Sequence, residues 1–429
     1  MTLLLICFVV FLVIGMPIAF VIGIAGFAYF FSSPYLNFQT ATQMIVSQSQ
    51  SFAFLAVPFF IFAGNLMNVS GITQRLLSLA RLVTRRMYGG TAQISVVMST
   101  LMGGVSGSAT ADAAMETRIL GPEMMRIGYS KGYICAVNCV TALITATIPP
   151  SLGLIIFGFV GEVSIGRLFA AGLIPGILMM FFLMATTTIT SRIKKYDPPR
   201  KDAPPLSFEE LGENLKESIW ALLFPVILIV GIRFGVFTPS ESGAFAVIYA
   251  ILVGKFIYKE LTWQNFKEAL ITTLKDNGAI MLIIAMSGPF SYALTWVKLP
   301  VTLSQMIFGI TTNPQALVLI MLGFLFITGM FVDSNVNFLL LTPIFLPMVK
   351  EAGIDPVHFG VLMATIVTLG VMTPPIGSAL YTVCGIINCP PEEYTKASLP
   401  FMFAVLLELA ILVFLPDLVL WIPNMVFGS

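Results

Sequence analysis

The sequence predicts an all-α polytopic membrane protein folded as an inverted repeat, with five crossings and one re-entrant hairpin in each half. Three observations predict it. Hydrophobic residues make up 57 % of the 429 and charged residues 10 %, at a mean hydropathy of +0.95. A water-facing surface takes about 25 % charge, so the chain belongs in a bilayer. Its apolar runs are long and continuous, without the alternation over roughly ten residues that marks a membrane β-strand, so the spans are helices. Lastly, residues 104–175 align without a gap on residues 329–400 at a constant shift of 225.

The identical pairs in that alignment fall mostly on backbone punctuation. Gly104 matches Gly329, Pro122 matches Pro347, Gly128 matches Gly353, Pro149-Pro150 matches Pro374-Pro375, and Pro175 matches Pro400, with Thr117/Thr342 and Ile119/Ile344 completing the set. Prolines and glycines fix backbone geometry. Their shared register is the mark of an internal duplication.

Composition also excludes classes. Net charge is +1 with no basic patch, so nucleic acid is not a partner. No P-loop is present, so ATP does not drive this chain directly. No nucleophile–base pair, metal cluster or cofactor motif marks an enzyme. The cysteines (Cys7, Cys135, Cys139, Cys384, Cys389) sit in or beside apolar segments and read as small buried hydrophobes. Cys135 and Cys139 share a helix face, but no His or carboxylate joins them, which argues against a metal site there. The single histidine, His358, sits in a short polar turn and reads as structural or solvated.

Taken in order, no charged residue precedes Arg75, which argues against a cleaved signal peptide. Residues 3–31 are one long or two short helices about Gly15-Met16-Pro17, and the polar run Gln39 to Ser51 ends that segment. A span at 52–67 leads into a basic, surface-lying segment at 68–90. Residues 91–125 are too polar at their centre, GGVSGSATAD, to cross, and read as a hairpin. A span at 132–160 is broken by Pro149-Pro150, which have no N–H, so the carbonyls of Thr145 and Ala146 lose their helical donors. A span at 168–190 and a polar linker at 191–218 close the first half. The second half has spans at 219–236 and 240–258 joined by FTPSES, whose Glu241 reads as a helix cap. An amphipathic segment at 259–275 and a span at 277–297 follow. The second hairpin, 314–349, has the tip FVDSNVN. A span at 357–386 is broken by Pro374-Pro375, freeing the carbonyls of Gly370 and Val371, and a last span covers 398–422.

An odd number of crossings per half inverts the second half against the first. With both termini outside, 18 of the 22 Lys and Arg face the cytoplasm and four (Arg167, Arg233, Lys298, Lys350) do not. Inverted repeats with broken helices are a transporter architecture, with the site at the midplane between repeats. Unwound backbone and small polar side chains supply the oxygen ligands that a desolvated cation needs. The first cation site is expected from Gly104, Ser106, Ser108, Thr110, Asp112, Thr145, Ala146, Pro149 and Ser151. The second is expected from Gly329, Asp333, Asn335, Gly370, Val371, Thr373 and Gly377. Substrate contacts are expected from Ser108, Thr110, Asp333, Asn337 and Ser378. A carboxylate at membrane depth is a functional candidate by default. Glu116 reads as an ordinary helix residue, and Glu408 has no partner that the sequence can name.

The stretches GGVSGSATAD, TIPPS, MTPPIG, FAGNLM after VPFF, and FTPSESGAFAVIYA resemble the large membrane subunit of tripartite ATP-independent periplasmic (TRAP) transporters, and the resemblance runs along essentially the whole chain. It implies an elevator-type transporter of the bacterial inner membrane, coupled to sodium ions and holding no other cofactor. A small four-helix membrane subunit, here a separate chain, and a periplasmic substrate-binding protein are implied as partners. Its substrates are carboxylates, with sialic acid or a related sugar acid ahead of C4-dicarboxylates. Residues 1–90 and 219–297 would be scaffold, 91–190 and 298–429 the two halves of the transport domain, and 191–218 the cytoplasmic linker. The alternatives are a stand-alone sodium/dicarboxylate symporter of similar fold and a channel.

Overall fold

The computed structural model describes residues 2–50, 55–199 and 207–428. The start of the span expected at 52–67 and the middle of the 191–218 linker lie outside the described residues. The chain begins with two short helices, α1 (Thr2–Val13) and α2 (Ile18–Ser32), separated by Gly15 at φ +82° and by Pro17. α3 (Phe38–Ser49) occupies the polar run that the sequence suggests is a terminator. Asn37 caps it, accepting from Gln39 N at 2.9 Å, and it packs against the long helix of residues 263–296.

α4 (Ala56–Val69) turns through 65° at Gly71 into the basic amphipathic α5 (Ile72–Thr84). The first hairpin is α6 (Gly90–Gly103) and α7 (Ala109–Ile127). Asp197 pins its entry, accepting from Thr91 N and Oγ1 at 2.8 Å each. The broken span is α8 (Lys131–Thr141), α9 (Leu143–Thr147) and α10 (Leu152–Gly161), bent by 43°, and α11 (Ile165–Lys194) follows.

In the second half, α12 (Phe208–Arg233) leads by a capping box between Thr238 and Glu241 into α13 (Pro239–Leu252), which ends in a π turn. The expected break between 259–275 and 277–297 is absent. α14 (Trp263–Trp296) runs through it for 34 residues, about 50 Å at 1.5 Å per residue. The polar residues that suggest a boundary there have a partner instead. Asn65 on α4 donates to Thr273 Oγ1 at 3.0 Å and to Asp276 Oδ2 at 3.4 Å. α15 (Leu299–Phe308) precedes the second hairpin, α16 (Pro314–Phe331) and α17 (Ser334–Glu351). The second broken span is α18 (Pro356–Val371) and α19 (Ser378–Ile387). The last span is two helices, α20 (Pro391–Phe414) and α21 (Pro416–Phe427), because Pro416 disfavours helical backbone at Leu415.

The duplication is visible in the elements. Adding 225 to the bounds of α6, α7 and α10 gives 315–328, 334–352 and 377–386, against 314–331, 334–351 and 378–387 for α16, α17 and α19. The same shift pairs α5 with α15, at 297–309 against 299–308, and pairs 263–274 with α3, so the counterpart of the basic segment is α15. Packing partners are exchanged between halves: α10 lies on α17 while α19 lies on α7, and α20 lies on α8 while α11 lies on α18. Gly128 and Gly353, aligned in sequence, both take positive φ where the outgoing hairpin arm ends. Each half therefore completes its core with the other.

Six helices among the described residues are long and apolar enough to cross a membrane, or up to eight if each bent pair counts as one span. The chain is a multi-pass membrane protein. Small residues let its helices approach closely, as at Gly26, where a Cβ would lie 3.0 Å from Phe290 N. His358 is a core residue, 4 % exposed, with Nε2 at 2.9 Å from Leu412 O.

Candidate functional site

The first hairpin tip, residues 104–108, is shaped by Gly107, which takes φ +64°; any Cβ there would collide with Pro150 O. The tip is thereby held backbone to backbone against the Pro149-Pro150 break, and Leu152 N donates to Gly107 O at 3.5 Å. In the other half the equivalent N–H, on Gly377, donates to Met330 O at 3.1 Å. Both Pro-Pro bonds are cis.

Behind the first tip, Asp112 is buried in the first turn of α7, where the helix N-terminus favours negative charge. Ser106 Oγ donates to Asp112 Oδ2 at 2.5 Å, and Oδ1 has no hydrogen-bond partner among the described residues. The second tip is shorter. Asp333 caps α17, accepting from Asn335 N at 2.9 Å, while its side chain stays exposed. Asn337 fastens that tip from within, donating to Val332 O at 2.9 Å and to Asp333 O at 3.2 Å.

Two of the four carbonyls expected to be free already hold a partner. Ser151 Oγ donates to Ala146 O at 2.5 Å, and Thr373 N donates to Gly370 O at 2.8 Å. A carbonyl has two lone pairs, so each can still take a cation.

The tips converge on one cavity of about 120 Å³. From the first half it is lined by Gly107, Ser108, Ala109, Thr110, Ala146, Ser151, Leu152 and Gly153, and from the second by Asp333, Ser334, Asn335, Phe338, Ala364 and Thr368. Of the expected site residues, Ser108, Thr110, Ala146, Ser151, Asp333 and Asn335 therefore reach it. The others do not line it. Gly104 and Ser106 belong to the first tip but lie outside the lining, as do Asp112, Thr145 and Pro149, and Thr145 Oγ1 donates to Ser99 O at 3.0 Å. Gly329 packs on Gly370, Thr373 Oγ1 donates to Leu369 O at 2.7 Å, and Val371, Gly377, Asn337 and Ser378 lie outside the lining.

The cavity's electrostatics come from backbone and from one carboxylate. The N-termini of α7, α10 and α17 all open on it, and a helix N-terminus presents free N–H groups to an anion. Asp333 is the acidic side chain in the lining, and no Lys or Arg lines it among the described residues. Hydroxyl, carbonyl and carboxylate oxygens suit a hard cation. The N-termini suit a carboxylate. Thr368 and Phe338 were not legible as lining residues, because the turn that carries each inward depends on how α18 and α17 pack.

Glu116 corrects a plainer expectation. It is buried one helical turn from Asp112 and takes Ser95 Oγ at 2.5 Å and Ser99 Oγ at 2.8 Å. Glu408 is buried in α20, away from the cavity lining, and neither carboxylate oxygen has a hydrogen-bond partner among the described residues.

Comparison with known proteins places this arrangement. A family described as "Tripartite ATP-independent periplasmic transporter, DctM component" matches residues 5–418. The sialic acid TRAP transporter large permease protein SiaM of Vibrio cholerae is 33 % identical over 414 residues, covering 96 % of each chain. The 2,3-diketo-L-gulonate TRAP transporter large permease protein YiaN of Escherichia coli is 33 % identical over 407 residues, covering 95 % of each. The C4-dicarboxylate TRAP transporter large permease protein DctM of Pseudomonas aeruginosa is 31 % identical over 376 residues, covering 88 % of this chain and 87 % of that one. Among solved structures, the Alcanivorax borkumensis YdaH transporter shares the fold at a TM-score of 0.60 and 16 % identity, covering 86 % of each chain. The chain belongs to the DctM component family of the tripartite ATP-independent periplasmic transporters, and is a large permease protein rather than an enzyme.

Proposed function

We propose that this chain is the sodium-coupled permease of a tripartite system in the bacterial inner membrane. It imports a small carboxylate delivered by a periplasmic binding protein, and works with a separate small four-helix membrane subunit. The observation that carries this reading is the single cavity lined by both hairpin tips. Its oxygens suit sodium, and its three helix N-termini suit the carboxylate of the substrate. A sugar acid of the sialic acid type is the favoured substrate and a C4-dicarboxylate the next; both appear in the names of relatives.

In this reading α6–α11 and α16–α21 form the moving body. α1–α5 and α12–α14 stay fixed, and α15, the counterpart of α5, joins them rather than the transport domain to which the sequence assigns residues 298–429. The ion pairs support the orientation. Arg75–Glu260 at 2.6 Å, Arg81–Glu123 at 2.6 Å and Arg85–Glu210 at 2.8 Å join segments assigned to the cytoplasmic side. Arg167–Asp355 at 3.9 Å and Arg167 to Asn424 at 2.8 Å join segments assigned to the outer side.

The test is uptake into proteoliposomes holding the two membrane subunits, with an inward sodium gradient and a panel of acids presented on the binding protein. Uptake of one acid that needs both sodium and the binding protein supports the reading. Equal uptake without the binding protein would favour a stand-alone symporter, and single-channel currents a pore.

A further inference from the structure

Four of the five cysteines lie along one seam between the halves. Cys135 is on α8, Cys384 on α19 and Cys389 on the link between α19 and α20, and their sulfurs lie within 4.8 Å of one another. All three are buried, at 0 %, 4 % and 6 % exposure. The backbone builds this convergence. A Cβ on Gly132 would lie 2.6 Å from Glu393 O, so α8 meets the first turn of α20 at backbone distance. Asn388 takes φ +50° and reverses the chain after α19, and Cys389 N then donates to Cys384 O at 2.9 Å. Lys131 Nζ donates to Asn388 O at 3.2 Å, which brings a cation to the same link. Cys139, also buried, follows Cys135 by one helical turn.

We propose that Cys135, Cys384 and Cys389 form a site for a soft divalent cation of the Zn²⁺ class, which fastens the broken span of one half to that of the other.

Thiolates bound to zinc at about 2.3 Å stand about 3.8 Å apart in a tetrahedral site, so no pair of these sulfurs needs to close by more than about 1 Å. Hard ions such as sodium or magnesium prefer oxygen and are not served by this set. Binding forms three metal–sulfur bonds and releases three thiol protons. The resulting set carries one net negative charge, which the Lys131 ammonium offsets. The fourth position is open to water or to Cys139. The site joins α8 to α19, and none of its three cysteines is among the residues that line the cavity between the tips. It should therefore stiffen the body that carries both tips while leaving the sodium dependence of transport as it was.

The experiment uses the full chain with its membrane partner, stripped with a chelator and then given Zn²⁺ or Co²⁺ alone. The proposal expects one equivalent of Zn²⁺ retained after gel filtration, a raised melting temperature, and a near-ultraviolet thiolate charge-transfer band with Co²⁺ that Zn²⁺ abolishes. Cys384→Ser and Cys389→Ser should each weaken Zn²⁺ binding at least tenfold, and Cys7→Ser should leave it unchanged. Equal Zn²⁺ content in wild type and in the folded triple serine variant would overturn the proposal. If the triple variant does not fold, an absent Co²⁺ band in the wild type overturns it equally. A disulfide among the three in protein isolated without reductant would overturn it as well.

Discussion

Gly370 and Gly329 meet backbone to backbone: a Cβ on Gly370 would lie 2.7 Å from the Cα of Gly329. One glycine belongs to the broken span and the other to the incoming arm of the second hairpin. The contact leaves no room for a side chain on either partner. Gly370→Ala should destabilise the protein by about 1–3 kcal/mol through overpacking. Gly278→Ala, with nothing within 4 Å of the new methyl, should not. Thermal unfolding in detergent measures both, and an unchanged melting temperature for Gly370→Ala would contradict the tight contact.

The buried Glu116 gives a second prediction. Glu116→Ala strands the hydroxyl of Ser99, at about 1–3 kcal/mol for a group left unpaired, and leaves Ser95 Oγ with Thr141 Oγ1 at 2.7 Å. Glu116→Gln keeps an acceptor and donors in place and should be milder. Stability should therefore follow the order wild type, Gln, Ala, read by thermal unfolding. Equal loss in both variants would mean that the charge itself matters there.

The repeat was legible because its signals are local. Pro-Pro pairs and glycines set backbone geometry wherever they stand, and the tips, the breaks and FTPSES could be read from them. What failed depended on distant partners. α3 is polar because it lies along α14 instead of crossing alone, and Thr273 and Asp276 are satisfied by Asn65 from α4. The inner residues of the site failed for the same reason. Asp112 and Asn337 carry the expected chemistry, but they spend it on the tip itself, and packing decides that.

Orientation gives the third prediction. Lys195 and Glu351 are both exposed, and the charge pattern assigns them to opposite sides. In a background lacking the five native cysteines, Lys195→Cys should stay unlabelled by a membrane-impermeant thiol reagent in intact cells, and Glu351→Cys should react. Equal labelling of the two would remove the inversion.

A fourth prediction concerns the partner. α2 and α14 leave an apolar groove lined by Phe20, Ile24, Phe27, Phe31 and Met286, on elements assigned to the fixed scaffold. A scaffold that resists sliding needs widening, and the small membrane subunit is the expected occupant. Photocrosslinkers at Phe27 should capture it in a one-to-one complex. Capture from Ser108 or Asn335 instead, or a stable homodimer without the small subunit, would overturn that arrangement.

The most direct test of the central claim is the sodium activation curve of substrate uptake by the reconstituted complex. If each tip organises one ion, Asp112→Ala and Asp333→Ala should each flatten the curve and raise the half-saturating sodium concentration about tenfold or more, the double variant should lose sodium dependence, and Glu408→Gln should leave it unchanged. Wild-type sodium activation in both Asp112→Ala and Asp333→Ala would contradict a sodium role for the two hairpin tips.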